Sequence, residues 1–220
     1  HIVRGEWKNK ERPVLINNWE ATYFNFDEKK LLDLAKAGKD VGIELFVLDD
    51  GWFGKRNDDT SSLGDYDVNL KKLPKGLANL CDKINALGLM FGLWVEPEMI
   101  SPNSDLYRNH PEWAIQVPGR KPALGRNQLV LDLTNPEVRS YLIDSLTEVF
   151  SSCNLSYVKW DYNRTLTDMW GSKLTNQGEF FHRYVLGLYE ILEELVLRFP
   201  KILFEACASG GNRFDLGMLC

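Results

Sequence analysis

The strand that decides the fold reads Tyr157-Val158-Lys159-Trp160-Asp161. It is aromatic and β-branched apart from two charged residues and has no helical period, which is typical of a buried parallel strand. Because side chains alternate between the faces of a strand, Tyr157, Lys159 and Asp161 share one face, and Val158 and Trp160 share the other. We expect the apolar face to pack on helices. The charged face should then point into the interior of a barrel, at the carboxyl end of the strand, where such barrels carry out their chemistry.

The composition is that of an ordinary globular domain. The chain has 220 residues, 44% hydrophobic and 26% charged, with a net charge of -5. Since no basic block occurs, we expect no nucleic-acid partner. No apolar run reaches membrane-spanning length, so we expect no membrane association, and the first residues do not resemble a signal peptide. The four cysteines are scattered without metal-ligand spacing, which favours reduced thiols and a cytoplasmic location.

Apolar runs that alternate with helical patterns predict a parallel α/β sheet. We expect five strands, over residues 14–19, 45–50, 89–95, 156–161 and 202–207. Asp27 and Asn135 are candidate helix caps. Phe181, Val185 and Leu188 are placed on the apolar face of the helix before the last strand.

A (β/α)8 TIM barrel is a better interpretation of this pattern than a doubly wound open sheet. Unusual residues follow every strand, whereas an open sheet concentrates its ligand at one switch point. No G-x-G-x-x-G or phosphate loop is present, which weakens a nucleotide-binding alternative. Eight-stranded barrels need about 250 residues, so we expect about the first five strands here. Residues 1–12 are predicted to be a linker from an upstream domain, and residues 13–220 a partial catalytic domain of a longer protein.

The predicted strand ends carry carboxylates, tryptophans and a lysine. These are Trp19, Asp49, Asp50, Trp94, Glu96, Glu98, Lys159, Asp161, Glu205 and Cys207. Charged groups bind sugar hydroxyls, and indole faces cover the apolar side of a pyranose ring. A glycosidase needs two carboxyl groups and no cofactor. No histidine accompanies the set, so we expect no metal.

Each of these features also has a simpler interpretation. An isolated Lys-x-Asp is most often a structural ion pair. Asp49 and Asp50 alone would be a strand-end turn with solvated carboxylates. Trp19 and Trp94 alone would more often belong to the core. Because polar and aromatic residues follow several strands whose carboxyl ends meet at one end of the predicted barrel, a binding site is favoured over these alternatives.

Five stretches, taken in order, resemble the bacterial α-galactosidases of glycoside hydrolase family 36. They are residues 12–19 (RPVLINNW), 48–53 (LDDGWF), 94–99 (WVEPEM), 159–164 (KWDYNR) and 207–211 (CASGG). The resemblance covers nearly the whole chain and implies that Asp161 is the nucleophile that forms a covalent galactosyl-enzyme intermediate. It also implies a set of substrate-binding residues: Trp19, Asp49, Asp50, Trp94, Arg126, Lys159, Asn163, Cys207 and Gly210.

The resemblance places the acid/base aspartate at the end of a sixth strand, beyond residue 220. Retaining hydrolysis needs this second carboxyl group roughly 5–5.5 Å from the nucleophile. Glu205 is the nearest candidate within the chain, and we expect it to have a supporting hydrogen-bond role. The isolated chain is therefore expected to be inactive, and its open sheet edges are expected to favour aggregation or oligomer formation.

The resulting hypothesis is a retaining α-galactosidase that acts on α-galactoside oligosaccharides such as melibiose and raffinose, without a cofactor. Family resemblance implies a homo-oligomeric parent protein, a tetramer. One alternative is a galactosyl transferase of the raffinose synthase type, which passes the same intermediate to a sugar. The other is an inactive sugar-binding or structural fragment.

Overall fold

The computed structural model describes residues 3, 5–209 and 213–219. Its strands are β1 (Leu15–Asn17), β2 (Leu45–Leu48), β3 (Met90–Val95), β4 (Met99–Ile100), β5 (Leu129–Val130), β6 (Tyr157–Trp160) and β7 (Leu203–Ala206). Its α-helices are α1 (Trp19–Thr22), α2 (Glu28–Asp40), α3 (Gly76–Ala86), α4 (Asp105–Asn109), α5 (Pro136–Ser151) and α6 (Phe180–Arg198). Short 3-10 turns cover Glu6–Lys8, Pro111–Trp113 and Gln177–Glu179.

Strands β1, β2, β3, β6 and β7 form one parallel sheet whose spatial order follows the chain. Helices connect each of these strands to the next. An order without reversal is that of a curled half-barrel, since a doubly wound sheet reverses its order at a switch point. The five predicted parallel strands are therefore confirmed. The closed eight-stranded barrel, the linker over residues 1–12 and the partial catalytic domain over residues 13–220 stay predictions.

The first strand is shorter than predicted, because a side chain ends it. Asn17 Oδ1 accepts the backbone N–H of Trp19 at 2.8 Å, and Trp19 already begins α1. The predicted strand over residues 14–19 is therefore wrong at its carboxyl end. Strand β2 likewise ends at Leu48, so that Asp49 lies in the segment that follows the strand.

The predicted helix starts are confirmed by their caps. The Asp27 carboxylate accepts the backbone N–H of Lys30 at 2.8 Å before α2, and Asn135 caps α5, where Pro136 occupies the first turn. The predicted apolar face of α6 is wrong for Phe181 and Val185, which are exposed. Its buried face is instead formed by Phe180, Tyr184, Leu188, Ile191 and Leu195.

Apolar side chains fill two separate layers. One packs the sheet against its helices and includes Phe46, Val158 and Trp160. The other lies on the opposite face of the sheet and centres on Leu45, Val47 and Tyr157. This alternation confirms the predicted faces of β6. Since strand side chains alternate, Asp49 and Lys159 continue the second face toward the carboxyl edge, where polar groups replace apolar ones. Within the part of the chain that the structure describes, no helix is long and apolar enough to cross a membrane.

The contact between α5 and α6 depends on a residue without a side chain. A Cβ at Gly187 on α6 would overlap the Leu133 carbonyl oxygen just before α5. We expect Gly187→Ala to lower the free energy of unfolding by about 1–3 kcal/mol, the usual cost of overpacking. Urea denaturation of the wild type and the variant measures this difference.

Gly38→Ala is the matched control, since Gly38 is also buried in a helix. Its Cβ would make ordinary contact with Ile16 at 3.4 Å. Because alanine favours helix, we expect this variant to be neutral or stabilised by up to about 1 kcal/mol. Equal destabilisation by the two substitutions would refute the close approach at Gly187.

Candidate active site

Buried carboxyl groups gather at the carboxyl edge of the parallel sheet. Asp49 and Asp50 follow β2, Glu96 follows β3 and Asp161 follows β6, and all four are at most 6% exposed. Ionised groups are costly to bury unless they are paired or hydrogen-bonded. The partners of each carboxyl group therefore define the site.

Asp161 is held by three donors. Its Oδ2 accepts the Trp94 indole N–H at 3.0 Å and the Asn163 side-chain amide at 2.6 Å, and its Oδ1 accepts the Tyr162 backbone N–H at 2.9 Å. Trp94 comes from the adjacent strand, so the carboxylate is fixed across two strands. Burial raises the pKa of the Cys207 thiol to about 12, and the neighbouring Asp161 charge adds to this effect. Cys207 therefore lies beside Asp161 as a neutral thiol.

Asp49 and Lys159 form an ion pair across the sheet. Lys159 Nζ lies 2.9 Å from Asp49 Oδ2, which also accepts the Asn17 side-chain amide at 2.5 Å. Burial lowers the pKa of Lys159, but the charge and hydrogen bond of Asp49, together with the charge of Asp161, outweigh burial and raise this pKa above its ordinary value. The backbone N–H of Asp49 donates to Asn18 Oδ1 at 2.8 Å. The charges of Asp49 and Lys159 therefore neutralise each other, and the hydrogen bonds of Asp49 with Asn17 and Asn18 fix the pair to the end of β1.

Asp50 is paired with the loop that follows β2. Both of its carboxylate oxygens accept hydrogen bonds from Arg56, at 2.5 and 2.7 Å. Asp49 Oδ1 accepts the Asp50 backbone N–H at 2.8 Å, so the two neighbouring carboxylates have separate partners within one turn.

Glu96 is buried, and no cation among the described residues forms an ion pair with it. Its Oε1 accepts the Asn163 backbone N–H at 2.7 Å and the Gln128 side-chain amide at 2.9 Å. Burial, reinforced by the charge of Asp161, raises the pKa of Glu96 to about 7. Glu96 therefore carries a proton at mildly acidic pH and ties the segment after β6 to the Gln128 loop.

Glu98 and Glu205 support the neighbouring strands. Glu98 is fully buried and accepts hydrogen bonds from Trp160 Nε1 at 3.0 Å and the Tyr184 hydroxyl at 2.8 Å, and Arg213 pairs with it. Glu205 accepts the hydroxyl of Tyr157. This is a hydrogen bond of the kind predicted for Glu205, and its supporting role stays a prediction.

The two predicted tryptophans differ in exposure. Trp94 is 2% exposed, and its ring stacks on Phe53 with centroids 6.2 Å apart. Trp19 is half-buried at the start of α1, with its ring edge-on to Tyr23 and Phe24. Trp19 thus has an accessible surface, whereas Trp94 contributes mainly its hydrogen bond to Asp161.

Arg126 lies at the tip of a tight turn closed by Gly125 and Gln128, and its side chain is exposed. Arg126 and Asn127 both have positive φ, 51° and 60°. Arg164 Nη1 donates to the carbonyl oxygen of Gln128 at 2.8 Å, so the turn is fixed to the segment that carries Asp161.

The structure thus brings most of the predicted residues to one edge. Asp49, Lys159 and Asp161 form its centre, and Asn163 and Cys207 adjoin Asp161. Arg126 lies on a flanking turn. Gly210 lies outside the described residues.

Four polar residues of this cluster were not among the predicted site residues: Asn17, Asn18, Arg56 and Gln128. Asn17 could have been found as a polar residue next to the first strand end. Arg56 and Gln128 lie in loops where no period or motif marks them. Within the described ranges, no group of three or more His, Cys, Asp and Glu side chains is arranged to hold a metal ion.

The raised pKa of Glu96 has a consequence for stability. Between its ordinary value of 4.5 and about 7, folded Glu96 keeps a proton that the unfolded chain releases, so wild-type stability falls as pH rises through this window. In Glu96→Gln the amide oxygen can still accept both hydrogen bonds, but the titration is gone. We expect the Tm of the variant, relative to wild type, to rise from about pH 4.5 to about pH 7 and then level off.

Differential scanning calorimetry across this pH range measures the difference. Glu148→Gln, on the exposed face of α5, controls for the loss of one negative charge. A Tm difference for Glu96→Gln that is independent of pH would mean that Glu96 is ionised throughout, contrary to its burial.

Comparison with known proteins identifies the family. The Melibiase family model matches residues 1–220. The chain is 55% identical over 220 residues to alpha-galactosidase AgaA of Geobacillus stearothermophilus. This alignment covers 99% of the chain and 30% of the relative. It is 53% identical over 218 residues to alpha-galactosidase Mel36A of Lactobacillus acidophilus, covering 98% of the chain and 30% of the relative. The chain therefore spans about 30% of the length of these relatives.

Solved structures agree with this relationship. The crystal structure of the GH36 alpha-galactosidase AgaA superposes with a TM-score of 0.96 over 99% of this chain and 30% of that one, at 55% identity. An AgaA variant in complex with stachyose gives a TM-score of 0.97 over 100% of this chain and 31% of that one, at 54% identity. The resemblance to glycoside hydrolase family 36 that five motifs predicted is confirmed, and the chain belongs to the Melibiase family.

Proposed function

We propose that this chain carries the galactose-binding centre and the nucleophile of a retaining α-galactosidase. The observation that carries the proposal is Asp161, a carboxylate held by three donors at the end of β6, next to the Asp49–Lys159 ion pair. Relatives at 55% and 53% identity bear the name alpha-galactosidase. Two AgaA variants were solved in complex with raffinose and stachyose, which supports α-galactosyl oligosaccharides as the substrate class.

Recognition of the sugar would rest on charged groups that are already oriented. Asp49 and Lys159 offer an acceptor and a donor in a fixed pair, and Asp50 adds a second acceptor beside them. Asn163 and Cys207 adjoin Asp161, where the hydroxyl next to the anomeric carbon would lie. The proposed ligand set also includes Trp19, Trp94, Arg126 and Gly210. Such a site would discriminate between sugars that differ in the configuration of one hydroxyl, because a misplaced hydroxyl leaves a buried polar group without a partner.

The chemical step follows from the position of Asp161. One carboxylate oxygen attacks the anomeric carbon as the glycosidic C–O bond breaks, and an acid protonates the departing oxygen. Water, deprotonated by the same group acting as base, then cleaves the galactosyl ester, so that the anomeric configuration is retained. Trp94 and Asn163 hold the attacking group, so it needs little reorganisation during the reaction. We propose that the acid/base is the aspartate that the family resemblance places beyond residue 220.

The nucleophile can be tested by substitution and rescue. In the complete protein, Asp161→Ala should abolish cleavage of p-nitrophenyl α-galactoside. Azide should restore turnover and give a galactosyl azide of inverted configuration, because it occupies the space of the lost carboxylate and needs no base. Release of p-nitrophenol measures the loss and the recovery of cleavage, and NMR of the product gives the configuration of the galactosyl azide. Asp144→Ala, on the exposed face of α5, is the control and should retain wild-type activity. Substantial activity in Asp161→Ala without azide would remove Asp161 from this role.

The ion pair should govern the choice of sugar. We expect Asp49→Asn and Lys159→Met each to lower kcat/KM on an α-galactoside by about 5- to 150-fold, since each leaves a buried polar partner unpaired at a cost of about 1–3 kcal/mol. The wild type should cleave the α-glucoside, the 4-epimer, far more slowly. Steady-state kinetics on the two p-nitrophenyl glycosides decide this. Equal hydrolysis of both sugars would show that this pocket does not select galactose.

A further inference from the structure

Arg56 lies in the loop after β2 and is 2% exposed. Its Nε donates to Asp50 Oδ1 at 2.5 Å and its Nη2 to Asp50 Oδ2 at 2.7 Å, while Nη1 donates to the Ser61 carbonyl oxygen at 2.7 Å. A planar guanidinium that meets both oxygens of a carboxylate fixes the orientation of the carboxylate as well as its charge.

The surroundings leave this guanidinium little freedom. It lies over the rings of Phe24 and Phe53, at 5.7 and 5.8 Å from their centroids. Lys72 Nζ donates to the backbone carbonyl oxygens of Arg56 at 2.9 Å and Gly51 at 2.8 Å, which ties the loop to the turn that carries Asp50. The Arg56 side chain is therefore held by two aromatic rings and through its own backbone.

Asp50 needs such a partner because of its position. Burial raises the pKa of Asp50, the charge and hydrogen bonds of Arg56 oppose this, and the adjacent Asp49 carboxylate adds to the rise. The other titratable groups that interact with Asp50 or Arg56 are Lys72, Glu96, Tyr66 and the exposed Asp58. Lys72 is a weaker substitute, since burial lowers its pKa to about 8 and it bonds to backbone carbonyls. Without Arg56, Asp50 would take up a proton or rotate.

We propose that Arg56 is a positioning residue for sugar binding, which holds Asp50 charged and in one orientation so that its remaining lone pair meets a galactose hydroxyl. This inference rests on the proposed function. Each carboxylate oxygen has two acceptor directions. Arg56 uses one on each oxygen, and the Gly51 backbone N–H uses a further one, which leaves one direction for a hydroxyl. The segment after β2 supplies the carboxylates of Asp49 and Asp50. The loop that follows supplies Arg56, which keeps Asp50 ionised and oriented for hydrogen bonding.

Kinetics of four variants of the complete protein test the coupling: Arg56→Met, Arg56→Lys, Asp50→Asn and the Arg56→Met/Asp50→Asn double variant. On p-nitrophenyl α-galactoside, each single variant that breaks the pair should lose at least about tenfold in kcat/KM. The double variant should lose no more than the worse single variant, because both act through one carboxylate. Arg56→Lys should recover part of the loss. In Arg56→Met, the acidic limb of kcat/KM against pH should move to higher pH, and the double variant should lack this shift.

Arg108→Met is the matched control, since Arg108 pairs with Asp105 on the surface, and it should leave the kinetics unchanged. Wild-type kcat/KM and a wild-type pH profile in Arg56→Met, even with a lowered Tm, would overturn the proposal. Losses that multiply in the double variant would overturn it as well, because they would show that Arg56 acts independently of Asp50.

A readout without substrate separates this inference from the proposed function. In the wild type, burial already raises the pKa of Asp50 above its ordinary value of 3.8, so Tm falls as pH rises above that value. In Arg56→Met, burial is no longer opposed by the guanidinium, so this fall in Tm should be larger and should extend to higher pH than in the wild type. Asp50→Asn in the same background should abolish that slope. A wild type that cleaves no α-galactoside would overturn the proposed function. The difference in Tm against pH between Arg56→Met and the wild type then decides whether Arg56 controls the charge of Asp50, and a profile parallel to that of the wild type would overturn that control.

Discussion

Four carboxyl groups buried at one edge of a parallel sheet impose the constraint on which the rest of the structure depends. They are Asp49, Asp50, Glu96 and Asp161. Their mutual repulsion in a poorly solvated space must be offset by cations, hydrogen bonds or protonation. Three solutions occur among the four groups. Asp49 pairs with Lys159, Asp50 with Arg56, Asp161 accepts three neutral hydrogen bonds, and Glu96 has a raised pKa. Most of the polar contacts at this edge follow from that requirement.

These partners lie far apart in the chain. Lys159 is 110 residues from Asp49, and Trp94 is 67 residues from Asp161. The contacts therefore exist only once β2, β3 and β6 are aligned in register, and the apolar layer of Leu45, Val47 and Tyr157 beneath them fixes that register. A site formed in this way is rigid before substrate arrives, which is the condition for electrostatic stabilisation of a transition state.

The parts of this arrangement that local chemistry dictates could be predicted from the sequence. The two-residue period of β6 placed Lys159 and Asp161 on the inner face, and Asn135 followed by Pro136 located the start of α5. Apolar residues occur on more than one side of α6, so the pattern did not exclude Phe181 and Val185 from its buried face. Arg56 and Gln128 reach the site through loop conformations that no periodicity encodes.

The nucleophilic role of Asp161 can be tested most directly by trapping the intermediate. The complete protein would be treated with 5-fluoro-α-D-galactopyranosyl fluoride, a slow substrate whose covalent intermediate accumulates, and then digested and analysed by tandem mass spectrometry. We expect one galactosyl adduct, on Asp161, that galactose prevents and that is absent from Asp161→Ala. An adduct on Asp49, Asp50 or Glu96, or turnover of the reagent with no covalent species at any time, would contradict the assignment.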